Sequence, residues 1–104
     1  MSGNAGTAQA ERSARLAALL SRISLSDQRA FEELYRSTSA HLYAVALRIV
    51  GERAIAEEIV QEAYVNVWHH AATYDAARSQ PLTWLMSIAR NRALDLKRRR
   101  EVDT

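Results

Sequence analysis

The chain has 104 residues, of which 48% are hydrophobic and 25% are charged, and its formal net charge is +2. This length suits one globular domain, and the low content of Pro and Gly favours helices over a sheet. The absence of Cys excludes disulfides and cysteine-ligated metal sites.

The start of the chain lacks the features of a signal peptide, and no apolar run approaches membrane-spanning length. Small polar residues at positions 1–10 are typical of a disordered tail, which leaves residues 11–104 as the folded domain. We therefore expect a compact all-α bundle of about four helices that is cytoplasmic and not inserted in a membrane.

The first half of the chain predicts two helices. Apolar residues at helical spacing predict the first helix from about Gln9 to Ile23. The segment SLSD follows, and Ser26 is the expected N-cap of the second helix. This helix runs from Asp27 to about Val50, with Gly51 as its expected stop.

The second helix has an apolar stripe that we expect to be buried, and it carries three small polar residues near its middle. The polar residues, Ser37 to Ser39, predict either a kink or a split into two helices. The predicted buried stripe consists of Phe31, Leu34, Tyr35, Leu42, Val45, Ala46 and Ile49.

The third predicted helix, from about Arg53 to Ala72, has two opposed faces. Its core face holds Ile59, Val60, Ala63, Tyr64, Val67, Trp68 and Ala71. On the other side, Gln61, Glu62 and Val65 lie within about 60° of Glu58 at 100° per residue. This polar face is either an ordinary solvated surface or a docking surface for a basic partner. Like charges at Glu58 and Glu62 favour docking, because they are mildly unfavourable for an isolated helix.

The fourth predicted helix starts near Gln80 or Pro81 and continues to about Arg100. Its core face holds Leu82, Leu85, Met86, Ile88, Ala89, Ala93 and Leu96, and Trp84 lies at the margin of that face. Trp84 is therefore either a core-edge aromatic or a stacking surface. The run from Lys97 to Arg100 exceeds what helix capping needs, which indicates phosphate binding.

Three further features need an interpretation. Arg92 falls inside the apolar face, so we expect it to pair with a buried carboxylate or to extend to the edge, with Asp95 as one possible partner. Adjacent His69 and His70 point about 100° apart, so no metal site is expected. The polar connector between the last two helices, Tyr74–Gln80, is rich in donors and acceptors that suit a base edge. We expect this connector to lie beside the cationic end of the fourth helix, so that the two can bind one unpaired strand.

Taken together, three segments closely resemble region 2 of bacterial sigma factors, most of all the extracytoplasmic function (ECF) class. The resemblance covers about residues 27–100, and the segments are AFEELYRSTSAHLYAVALRIVG, AEEIVQEAYVNVWHHAATYD and PLTWLMSIARNRALDLKRRR. It implies a transcription initiation factor that binds RNA polymerase core and opens the promoter −10 element. It also implies an anti-sigma factor as a partner.

The resemblance assigns roles to residues in two groups. The matching segment of the third helix docks on the clamp helices of the polymerase beta-prime subunit, which implies contacts by Glu58, Gln61, Glu62, Val65 and Asn66. The connector and fourth helix correspond to the elements that hold the −10 non-template strand. The implied DNA-binding residues are Tyr74, Asp75, Arg78, Ser79, Gln80, Trp84, Arg90, Asn91, Lys97, Arg98, Arg99 and Arg100.

The chain departs from the family pattern in two respects. Primary sigma factors carry two adjacent aromatic residues where this chain has Trp84 and Leu85. ECF factors also continue into a second domain that reads the −35 element, which we expect to be absent from this chain. Two other functions stay open: a regulator that binds double-stranded DNA and a helical protein-interaction module. We expect no enzymatic activity and no cofactor, because no catalytic constellation or ligand set is evident.

Overall fold

The computed structural model describes residues 3–103, and within them it contains four α-helices and no strand. The helices are α1 (Gly3–Ile23), α2 (Gln28–Val50), α3 (Arg53–His70) and α4 (Pro81–Asp103). A single 3₁₀ turn, Ala71–Thr73, follows α3. Helix α2 lies centrally and packs against each of the other three helices. The predicted all-α bundle of four helices is therefore confirmed.

One hydrophobic core joins the helices, and every helix contributes an apolar face to it. The largest fully buried side chains are those of Leu20, Ile23, Leu34, Leu42, Ile59, Leu85, Val67 and Thr38. The prediction for Tyr35 was wrong, because its side chain is 44% exposed. Its ring packs edge-on against Tyr64, with 4.8 Å between the ring centroids, at the edge of the α2–α3 contact rather than inside it.

The corner between α1 and α2 differs from the prediction in its capping residue. Asp27, not Ser26, is the N-cap of α2, and its Oδ1 accepts a hydrogen bond from the Ala30 N–H at 3.1 Å. Ser26 has φ +65°, whereas an N-cap residue needs an extended backbone. The Ala30 N–H and the Arg22 guanidinium both donate to the Asp27 carboxylate and hold the pKa of Asp27 below its usual value.

Helix α2 is continuous through the polar residues at its middle, so the predicted split into two helices does not occur. Thr38 is buried, and its hydroxyl donates to the Leu34 carbonyl at 2.7 Å and is hydrogen-bonded to the Tyr64 hydroxyl. The core therefore accommodates this polar group without breaking the helix. Burial raises the pKa of Tyr64 to about 12. Gly51 ends the helix in the left-handed conformation, as predicted.

The remaining helix ends shift by a few residues from their predicted positions. Helix α1 begins at Gly3 rather than Gln9, so residues 3–10 of the predicted tail are helical, while residues 1 and 2 lie outside the described part. Alanines in this segment favour the longer helix. The last residues of the predicted third helix form the 3₁₀ turn, and α4 extends to Asp103.

Candidate protein and nucleic-acid interfaces

The polar face of α3 is exposed along its whole length. Glu58, Gln61 and Asn66 are exposed, and the Glu62 side chain retains 49% of its accessibility. Val65 is 58% exposed in the middle of this face. We call these five residues the α3 face. Their exposure meets the first requirement of a docking surface.

Two carboxylates pair with Arg92, which lies in the predicted apolar face of α4. Its Nε and Nη2 donate to the two Glu62 carboxylate oxygens, and its Nη1 donates to Asp95 Oδ2 at 3.2 Å. Asp95 is thus a partner, as predicted, but neither carboxylate is buried, and the hydrogen bonds to Glu62 are the main cause of the raised pKa of Arg92. The cluster ties α3 to α4, and Glu62 is already engaged within the chain.

A groove between α3 and α4 joins residues that the sequence analysis assigned to different partners. Its volume is about 620 Å³. Asn66 of the α3 face and Asn91 of α4 both line it, as does the Glu62–Arg92–Asp95 cluster. The predicted polymerase-binding and DNA-binding surfaces are therefore neighbours that meet at this groove.

The connector Tyr74–Gln80 is held in shape by its own hydrogen bonds. Asp75 accepts from the Ala77 N–H through Oδ1 at 2.9 Å, and its carbonyl accepts from the N–H groups of Arg78 and Ser79 at 3.0 and 3.3 Å. The Tyr74 hydroxyl donates to the Ser79 carbonyl at 2.8 Å. Asp75 and Tyr74 therefore fix the backbone of the connector, while the Arg78 side chain is exposed.

Trp84 is half-buried one turn into α4 and packs against the connector. Its ring centroid lies 5.4 Å from that of Tyr74, with the two planes tilted by 57°. The partial burial of Trp84 agrees with its predicted place at the core margin. Both interpretations survive, because a half-buried ring supports the core and still offers surface for stacking.

The predicted DNA-binding residues extend along the whole of α4 and do not form one cluster. Pro81 and Lys97 are 16 residues apart on one continuous helix, about 24 Å at 1.5 Å per residue. The expectation that the connector lies beside the cationic run is therefore wrong, since the two occupy opposite ends of a helix. Arg90 and Asn91 are exposed between them. One nucleotide cannot contact both ends.

The cationic run is partly matched by carboxylates. Arg100 donates to both carboxylate oxygens of Glu52 at 3.1 and 3.4 Å. Arg98 and Arg99 lie 4.0 and 3.5 Å from Asp95. Pairs this exposed contribute little stability and exchange readily, so the arginines stay able to meet phosphate.

His69 and His70 lie side by side at the end of α3, where both are exposed and their ring centroids are 6.4 Å apart. No group of three or more His, Cys, Asp and Glu side chains within residues 3–103 is arranged to hold a metal ion. No helix in the same range combines the length and apolarity that a bilayer crossing requires.

Comparison with known proteins identifies the family. Residues 34–102 match the model of sigma-70 region 2. The chain is 39% identical over 83 residues to the ECF RNA polymerase sigma factor SigK of Mycobacterium tuberculosis (strain ATCC 25618 / H37Rv), which covers 80% of this chain and 44% of the relative.

Two further relatives carry the same name. The chain is 38% identical to SigK of Mycobacterium ulcerans (strain Agy99), with 81% of this chain and 45% of the relative covered. It is 37% identical to SigK of Mycolicibacterium vanbaalenii, with 79% and 42% covered. The chain thus spans less than half the length of the curated relatives it matches. The predicted resemblance is confirmed, and the chain belongs to the sigma-70 region 2 family in its ECF class.

Proposed function

We propose that this chain is the part of a transcription initiation factor that attaches to RNA polymerase core and binds the promoter −10 element. The observation that carries the proposal is the family match over residues 34–102, which includes both the α3 face and the connector with α4. We propose further that the chain acts in the cytoplasm, has no enzymatic activity, and is controlled by an anti-sigma factor.

The polymerase partner is proposed to be the clamp helices of the beta-prime subunit, bound by the α3 face. This surface combines exposed carboxylates with the exposed Val65 side chain. A partner that presents Arg or Lys beside an apolar residue would complement it. Asn66 lies at its border with the α3–α4 groove.

The DNA is proposed to be the −10 non-template strand, with its bases at the connector and Trp84 and its phosphates along α4. Aromatic stacking and basic side chains together hold unpaired nucleic acid. Phosphate contacts fix position without reading sequence, so discrimination between promoters is assigned to the connector. Opening one base pair costs a few kcal/mol, an amount that stacking and a fitted pocket can offset.

Charge reversal at Glu58 tests attachment to polymerase. Glu62 is a poor choice for this test, because its replacement by Lys would also break the contact with Arg92. Glu58→Lys should abolish pull-down by isolated clamp helices, since it opposes a basic partner. Glu32→Lys, an identical change on an exposed part of α2, is the matched control. Equal retention of both variants would remove the α3 face from the proposal.

DNA binding tests the proposed contact with the −10 strand against the two alternative functions. Fluorescence anisotropy of the chain bound to core polymerase should show tighter binding to single-stranded −10 oligonucleotides than to the same sequences as duplex. A clear preference for duplex would favour a double-stranded DNA regulator. Binding to polymerase without binding either form of DNA would favour a protein-interaction module.

A further inference from the structure

A second cavity lies between the connector and α1, a helix to which the sequence analysis gave no function. It is open to solvent, and its volume is about 500 Å³. Tyr74, Ser79 and Gln80 form its wall on the connector side, and Gly6, Gln9 and Ser13 contribute from α1. The cavity is continuous with the element that we propose to read bases.

Helix α1 presents these residues because of their spacing. Gly6, Gln9 and Ser13 recur at intervals of three and four, so they share one side of the helix. The opposite wall is set by the hydrogen bond from Tyr74 to Ser79. A hydrogen bond crosses between the two walls, in which the Ser13 hydroxyl donates to Gln80 Oε1 at 3.4 Å. This bond is long and exposed, so a ligand that offers donors and acceptors can replace it.

We propose that α1 forms one side of a pocket for an unstacked nucleobase of the bound strand, and that Gln9 and Ser13 help determine which base is accepted. This inference rests on the proposed function. The amide of Gln9 carries two donors and one acceptor, and the Ser13 hydroxyl is both donor and acceptor. Those are the groups that distinguish base edges.

The occupant is a nucleobase rather than another small molecule because of what adjoins the cavity. The aromatic residue Tyr74 is among those that line it, and Arg78, which precedes Ser79 in the same connector, is exposed at the surface. A ring beside a cation suits a base and its phosphate. The segment that matches the family model begins at residue 34, so α1 (Gly3–Ile23) lies outside that segment.

A matched pair of tryptophan substitutions tests the pocket. Ala10 lines the cavity, whereas Ala8 lies about 160° around the same helix at 100° per residue. Both alanines are exposed, so Ala10→Trp and Ala8→Trp alter helix propensity equally and differ only in filling the cavity. Circular dichroism melting confirms that both variants are folded. Gln9→Ala, which removes only an exposed amide, is the second test variant.

Each variant is bound to core polymerase and used to select from a library of random single strands, which is then sequenced. The wild type should enrich a motif. Ala10→Trp and Gln9→Ala should each reduce the preference at one and the same position of that motif by roughly tenfold, the order given by contacts to one base edge. Ala8→Trp should reproduce the wild-type motif at every position.

The outcomes separate this inference from the function on which it rests. If the wild type enriches a motif and Ala10→Trp enriches the same one at full strength, the α1 pocket is refuted and the proposed function stands. If the wild type itself enriches no motif, both are refuted.

Discussion

At the N-terminal end of α4, Trp84 packs on Tyr74 beside a connector that its own hydrogen bonds hold in shape. At the C-terminal end, four consecutive cations project from a helix that has left the core, and exposed carboxylates accompany them. The first end has a defined geometry and little charge. The second has much charge, and its ion pairs lie at the solvent-exposed surface.

Under the proposed function, this contrast assigns different contributions to the two ends of α4 in binding a strand. Reading a base requires donors, acceptors and rings at fixed positions, which only the connector end supplies. Attraction of phosphate requires charge but little precision, so exposed arginines suffice. About 24 Å of helix separates the ends, so we expect their contributions to be independent and close to additive.

The largest expected effect follows from neutralising the cationic end. Replacing Arg98, Arg99 and Arg100 with Gln should weaken binding of the polymerase-bound chain to every single strand, by about 100-fold at most at 0.1 M salt if each binds one phosphate. The slope of log K against log salt should flatten by about 0.7 for each phosphate that the variant no longer binds. Anisotropy titrations over a range of salt concentrations measure both quantities.

A matched control distinguishes the effect of where the arginines lie from the effect of net charge. Arg29, Arg36 and Arg48 are exposed on α2, and their replacement with Gln removes the same charge. We expect that control to change affinity much less. A reduction in affinity confined to one promoter sequence after neutralising the end of α4 would contradict the division of roles.

Removal of the ring at the connector end should have the next largest effect. Trp84→Ala should lower affinity for the preferred strand by about tenfold, as expected when one base is no longer stacked, and leave the salt slope unchanged. Trp84→Phe retains a flat ring and should keep most of the affinity. If both variants bind alike, Trp84 acts only as a core-edge aromatic that packs on Tyr74.

Much of this architecture could be predicted because it depends on local rules. Helical spacing indicated the core faces of α3 and α4, and Gly51 marked the end of α2. The distance of about 24 Å between Pro81 and Lys97 also follows from helix length alone, so the expected adjacency of connector and cations contradicted the predicted helix itself. Ser26 and Asp27 are both good caps, and the choice between them depends on a backbone angle that composition does not fix.

Contacts between distant parts of the chain could not be predicted from these local rules. Arg92 in an apolar face indicated that a carboxylate partner was needed, but Glu62 lies 30 residues away on another helix. The position of Gln9 and Ser13 against the connector likewise depends on how α1 packs. Periodicity shows which side of a helix is apolar and not which neighbour covers the rest.

A substitution in the core of the bundle tests whether the stability of the fold can be lowered without changing DNA binding at the two ends of α4. Tyr64→Phe removes the hydrogen bond to Thr38 and should lower the free energy of unfolding by about 1 kcal/mol at neutral pH. Thr38 keeps its bond to the Leu34 carbonyl, which limits the cost. Urea denaturation measures the change, and the ratio of affinities for preferred and random strands should not change.

The same variant has a pH signature. The folded state raises the pKa of Tyr64 from 10.0 to about 12, so its neutral phenol stabilises the fold fully below pH 10. That stabilisation is lost as pH rises from 10 towards 12. Denaturation in this range should therefore show a smaller alkaline decrease in stability for Tyr64→Phe than for the wild type. Tyr43→Phe makes the same replacement at a half-buried tyrosine of α2 and is the matched control.

The smallest expected effect comes from removing the ion pairs of the arginines at the cationic end. Asp95→Asn removes the carboxylate near Arg98 and Arg99, while Arg92 keeps Glu62 and still joins α3 to α4. Exposed ion pairs contribute about 0.2–1 kcal/mol, so affinity for all single strands should rise by roughly two- to fivefold.

Glu57→Gln adds the same net charge on an exposed part of α3 and distinguishes a local from a general effect. Equal increases in affinity for the two variants would mean that only total charge matters. An increase for Asp95→Asn that differs between preferred and random strands would mean that this end also reads sequence, since release of a phosphate-binding side chain should strengthen the binding of every strand alike.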